Sequence, residues 1–148
     1  MDFKEAVKIA FAAIGGFLSQ IFGGFDAWLA TLIIFMALDV VTGVIKGLTK
    51  KSEKTKGGGL DSRIMFNGGL KKLLIFVIIA VATALDHVIV GNGSTIRSIT
   101  IGYYIASEGL SVLENASYCG LPLPTPIKNA LETMHETYDK KEQEVVNE

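Results

Sequence analysis

Three carboxylates, Asp39, Glu108 and Glu114, lie inside otherwise apolar stretches of this 148-residue chain. Holding a charged group at the centre of a bilayer costs roughly 2.5–3.5 kcal/mol even by lenient insertion measures, so such groups are kept for pairing, for contact with water or for function. On a helix turning about 100° per residue, Asp39, Thr42, Gly43 and Lys46 share an arc of about 100°, with Leu38, Val41, Val44 and Ile45 on the other side. Ser107, Glu108, Ser111, Glu114 and Asn115 likewise share roughly 120°, and Tyr104 falls on the same side. The chemistry on offer is electrostatic. Either these stripes bond one another to hold a helix bundle together, or they face an aqueous lumen once several copies assemble. Catalysis is not indicated: no Ser/His or Cys/His arrangement is present, and paired carboxylates without a substrate pocket are weak evidence for an enzyme. Cys119 is the single cysteine, which excludes an intrachain disulfide, and with only His87 and His135 there is no Cys/His set for zinc, so neither metal nor cofactor is expected.

The elements that must position these residues read as membrane helices. Hydrophobic residues make up 49% of the chain and mean hydropathy is +0.41, while charge is crowded into one central segment and the C-terminal tail. A water-soluble domain of this length rarely has that balance. The fold class expected is all-α and multi-pass, with helices over about residues 9–24, 27–45, 73–90 and 96–116 in a transmembrane unit covering 1–120. The first, from Ile9 to Phe25, is only just long enough to span; an amphipathic helix lying on the membrane surface is the alternative, leaving three spans. Gly23, Gly24 and Asp26 make a turn into the second, whose Trp28 and Lys46 are interfacial anchors. Asp86 and His87 are placed at the interface rather than in a proton relay. The N-terminus has no small-residue cleavage site after a short apolar core, so a removable signal peptide is not expected.

Residues 46–72 hold eight of the fourteen Lys and Arg side chains, including Lys50, Lys51, Lys54, Lys56, Arg63, Lys71 and Lys72, against only Glu53 and Asp61. By the positive-inside rule this is a cytoplasmic loop, and four spans then place both termini inside, with Arg97 the one basic residue near the outer surface. Gly57, Gly58 and Gly59 make the loop a flexible, hydrated linker; the sharper reading is contact with anionic lipid head groups, at roughly 1 kcal/mol per nearby Lys or Arg. Nucleic acid is not an expected partner, because no aromatic platform interleaves the lysines. Pro122, Pro124 and Pro126 form an extended connector, after which residues 121–148 become a charged cytoplasmic tail with a helix capped at Thr125. Its Ile127, Leu131, Met134 and Tyr138 form one apolar stripe that fits another helix, a membrane surface or a short coiled coil.

The stretches LDVVTGVIKG (38–47), SRIMFNGGLKK (62–72) and SEGLSVLENASYCGLPLP (107–124) resemble the phage-holin family that includes toxin-secretion and phage-lysis holins of Gram-positive bacteria and their phages. The resemblance covers about residues 25–132, with the three motifs in order between apolar segments. It implies a protein of the bacterial cytoplasmic membrane that forms homo-oligomers and permeabilises the membrane at a set time, releasing a cell-wall hydrolase or, in some relatives, a toxin. By position, Asp39, Thr42, Gly43 and Lys46 match the first polar motif, Gly68, Gly69, Lys71 and Lys72 the loop motif, and Glu108, Ser111, Glu114 and Asn115 the last. Assembly and pore lining are the roles expected of the first and last sets together with Tyr104, with Gly43 allowing close helix approach. Phe66 and Asn67 depart from the small or basic residue expected before the loop glycines. An ion channel or transporter subunit, and an antiholin acting on a partner holin, remain open alternatives.

Overall fold

The computed structural model describes residues 2–91 and 93–147, with the side chains of 139 and 141–147 outside the description. The described residues form α-helices and no strands: α1 Phe3–Ile21, α2 Ala27–Leu48, α3 Ser62–Leu85, α4 Thr95–Tyr118 and α5 Thr125–Asn147, with α3 continuing through a wider π turn at Asp86–Val90. Helix starts are fixed by carboxylates that accept free backbone N–H groups. Asp26 accepts from Leu29 N at 2.9 Å, and Asp61 accepts from Arg63 N and Ile64 N. The Asp61 cap explains the largest departure from the expected boundaries. Because helix begins at Ser62, Arg63, Lys71 and Lys72 are helical residues of α3, and Lys46 belongs to α2; the basic loop shrinks to residues 49–61.

That loop is also more ordered than a glycine-rich linker. Ser52 N donates to Gly58 O, Gly58 N to Thr55 O, and the Thr55 hydroxyl to Gly59 O. Gly58 has φ +70°, and a Cβ there would run into the Lys50 carbonyl, so the turn requires glycine.

The core is built where the stripes of α2, α3 and α4 meet. Leu29, Leu32 and Met36 of α2, Ile75 and Ile79 of α3, and Ile101 and Ile105 of α4 are buried together, with Phe22, Phe35, Phe76, Tyr104 and Met134 packed around them. These residues recur at steps of three and four, which keeps each set on one helix face. The α4 helix is central, packing against α2, α3 and α5.

The faces turned away from the core are apolar. Ile34, Leu38, Val41 and Ile45 form an exposed stripe on α2, and Leu74, Ile78, Val81 and Leu85 form one on α3. Apolar patches of this extent suit a lipid environment rather than water. Two helices, Ala27–Leu48 and Ser62–Val90, are long and apolar enough to cross a membrane by length and composition. Helices α1 and α4 are not among them. The α1 helix has no buried residue and exposes Phe3, Ile9, Phe11, Phe17 and Leu18 while lying beside α3. The C-terminal helix packs along α4.

Candidate functional site

The stripes of α2 and α4 converge inside the bundle on a lysine from α3. Lys72 Nζ donates to Asp39 Oδ2 at 2.9 Å and also pairs with Glu108 Oε2. Asn115 Nδ2 donates to Asp39 Oδ1 at 3.1 Å and to the Thr42 hydroxyl at 3.2 Å, and that hydroxyl donates in turn to Leu38 O. The three charged side chains are 16%, 20% and 12% exposed for Lys72, Asp39 and Glu108. At about 1.5 Å of rise per residue, Asp39 and Glu108 lie about 18–20 Å from the starts of their helices, close to mid-length. Two carboxylates and one ammonium thus meet near mid-length of their helices, where unpaired charge would be most costly if those helices crossed a bilayer, and each is paired.

Gly43 borders this cluster: a Cβ there would lie 3.8 Å from Asn115 Nδ2, an ordinary van der Waals contact. A cleft of about 200 Å³ opens beside it, lined by Asp39, Gly43, Gly68, Lys72, Ser111 and Asn115. Nothing lies within 4 Å of a Cβ built on Gly68 or Gly69, so these glycines border open space. The remaining expected residues lie elsewhere. Lys46 is buried with its ammonium 3.8 Å from the centre of the Tyr118 ring, a cation–π contact at the loop end of the bundle. Tyr104 packs on the core with its ring against Tyr103, and Glu114 is exposed on the α5 side, in a groove with Ser117, Lys128 and Glu132. Of the basic residues, Lys71 is exposed beside Glu108, whereas Lys72 pairs with the two acids.

A second polar cluster closes the opposite end. Asp86, 2% exposed, accepts from Ile96 N at 2.9 Å and Arg97 N at 2.8 Å, capping α4 from the end of α3. Arg97, also 2% exposed, donates through Nη1 to Asp26 Oδ2 at 2.6 Å, through Nη2 to Gly24 O at 2.9 Å, and through Nε to Phe22 O. One guanidinium therefore pins the α1–α2 turn to the first turn of α4. Arg97, at the end of the bundle opposite the basic loop, is a bundle contact, and Asp86 is a helix cap. The hydrogen bond from Arg97 holds the Asp26 carboxyl below its ordinary range against an opposing effect of burial, with the Leu29 N–H adding to the lowering. Lys72, Ile75, Ile79, Ala82, Thr83 and Asp86 lie at core spacing on α3. That spacing was the available signal that Lys72 and Asp86 face inward.

These groups tie helices to one another and neutralise charge. The sequence profile of the bacteriophage holin family matches residues 16–136. The chain belongs to this family. Among relatives of this holin-family chain, a protein of Bacillus phage phi105 described as a probable holin is 32% identical over 77% of the chain and 78% of its own length. An uncharacterized 14.9 kDa protein of Clostridium perfringens, from the nagH 3′ region, is 36% identical over 87% of the chain and 92% of its own length. The YqxH protein of Bacillus subtilis is 36% identical over 83% and 79% respectively. No solved structure matches the chain.

Proposed function

We propose that the chain is a holin: it assembles in the bacterial cytoplasmic membrane and permeabilises it, letting a peptidoglycan hydrolase or a toxin leave the cell. The observation that carries the reading is the Asp39–Lys72–Glu108 cluster at mid-length of helices whose outer faces are apolar. A bundle of this kind inserts with its charges paired, and membrane depth is reached by α1 to α4 together. The C-terminal end of α1 supports this: Gly15, Leu18 and Phe22 border the same apolar cleft as Leu29, Ile33 and Phe76. The α4 helix, too polar to meet lipid alone, is covered by its neighbours. The loop end, with Lys50, Lys51, Lys54 and Lys56, is the cytoplasmic end.

The test is to induce the chain in a bacterial host and follow membrane potential and viability, with and without a cytoplasmic hydrolase that lacks its own export signal. Delayed, abrupt depolarisation is expected, with lysis confined to cells that carry the hydrolase. Intact potential and sustained growth after confirmed membrane insertion would reject the reading.

A further inference from the structure

The α5 helix follows α4 closely and in one register. A Cβ on Gly102 would lie 2.5–2.8 Å from atoms of the Tyr138 ring, and one on Gly109 would lie 2.9 Å from Leu131. Both pairs are spaced seven residues apart on their helices and in opposite senses, so two glycines on α4 receive two large side chains of an antiparallel α5. The Tyr103 and His135 rings meet at a tilt of 44° with 4.7 Å between centroids, and Tyr138 meets Trp28 edge-on at 6.2 Å. Trp28 is the second residue of α2, so α5 starts at the loop end and reaches the opposite end of the bundle.

The outward face of α5 is polar throughout. Asn129, Glu132, Thr133, Glu136, Thr137 and Lys140 are exposed and fall within about 140° of helix surface, opposite Leu131, Met134 and Tyr138. Such a face cannot lie against hydrocarbon at that depth, where charged side chains cost kilocalories, and the exposed Lys128–Glu132 pair at 3.7 Å leaves both groups open to their surroundings. Meanwhile α2 and α3 turn continuous apolar stripes outward. The bundle is therefore two-sided, with a lipid-compatible wall of α2 and α3 and a water-requiring wall of α5.

We propose that α5 stays docked on α4 at bilayer depth and that its polar face lines the aqueous path through an assembly of several copies. The inference deepens the permeabilising reading and rests on it. It also separates two jobs that one polar stripe was expected to share: Asp39, Lys72, Glu108 and Asn115 hold the bundle, and Glu132, Glu136 and their neighbours meet the water.

The test uses the full chain carrying Cys119→Ser, reconstituted into phosphatidylethanolamine–phosphatidylglycerol vesicles loaded with dyes of graded size. In a Tyr103→Cys/His135→Cys variant, oxidation is expected to form an intrachain crosslink while dye release continues as in the reduced sample. In separate Glu132→Cys and Glu136→Cys variants, coupling a polyethylene glycol maleimide after release begins is expected to cut release of the largest dye several-fold, with equal labelling at Lys4→Cys leaving it unchanged. A crosslink that stops release until reductant is added would overturn the proposal, because α5 would then be a strap that must leave. Failure to crosslink, or full labelling of α5 with unaltered release, would also overturn it. If the unsubstituted chain releases no dye under any condition, the permeabilising reading itself fails, which the unlabelled vesicles report independently.

Discussion

At the scale of single residues, the charges decide what the bundle tolerates. Lys72 lies between Asp39 and Glu108, so removing it leaves two carboxylates facing each other with no cation. Breaking a buried pair by removing one partner typically costs about 3–5 kcal/mol, whereas replacing all partners by neutral groups of similar shape is often nearly neutral. Lys72→Met is therefore expected to lower thermal stability in detergent strongly, and Asp39→Asn/Lys72→Met/Glu108→Gln to recover most of it; a triple variant as unstable as the single one would contradict the pairing. In cells, Asp39→Ala and Glu108→Ala are expected to delay or abolish permeabilisation without stopping membrane insertion, which fractionation and a depolarisation time course report separately. Asp26 sets a pH dependence of defined sign. Its folded-state pKa is depressed from the ordinary 3.8, so its contribution is fully present above that value and is lost as pH falls through the lower folded value. The Asp26 side chain is 43% exposed, and solvent screening limits the contribution to about 1 kcal/mol or less. Unfolding of the native chain and of Asp26→Asn should differ at pH 6 and converge near pH 2.

At the scale of elements, caps and close approaches set the limits. Asp61 holds the first turn of α3 through two backbone N–H groups, and Asp61→Ala is expected to cost about 1 kcal/mol and to fray the helix back from Ser62, seen as faster amide exchange at residues 62–65. Gly102 and Gly109 are the seats of α5 on α4. Gly109→Val would drive a side chain into Leu131 and Phe35 and is expected to release α5 to proteolysis while α2 to α4 remain protected. Gly23 is a different case: its φ of +71° and a Cβ position 2.8 Å from the Arg97 side chain mean that Gly23→Ala strains the turn and displaces the guanidinium together.

For the molecule as a whole, the arrangement is a partition of surfaces. Apolar stripes on α2 and α3 face one way, polar α5 faces another, and α4 between them carries Glu108, mostly buried and paired with Lys72. This explains why α4 falls short of a spanning helix on composition yet sits at the centre of the bundle: its partners supply the apolar cover that its own sequence lacks. With α5 lining an aqueous path as proposed, assembly is expected to be steep in concentration, since a single copy would leave a polar wall without water and several copies would supply one.

The helical class, the apolar segments, the tail helix with its Leu131–Met134–Tyr138 stripe and the convergence of polar residues on one face of α2 and of α4 were legible in the sequence, because periodicity is local and one helix suffices to reveal it. The family was legible too, from three ordered motifs. The partner of Asp39 and Glu108 was not, although Lys72 lies at core spacing with Ile75 and Ile79, because a run of lysines beside glycines reads as loop until Asp61 is known to start a helix before it. Nor could the sequence show that Arg97 reaches back to Phe22, Gly24 and Asp26, or that α5 lies along α4 with Tyr138 on Gly102. Those contacts join residues 33 to 75 positions apart, and only the packing of helices in three dimensions brings them together.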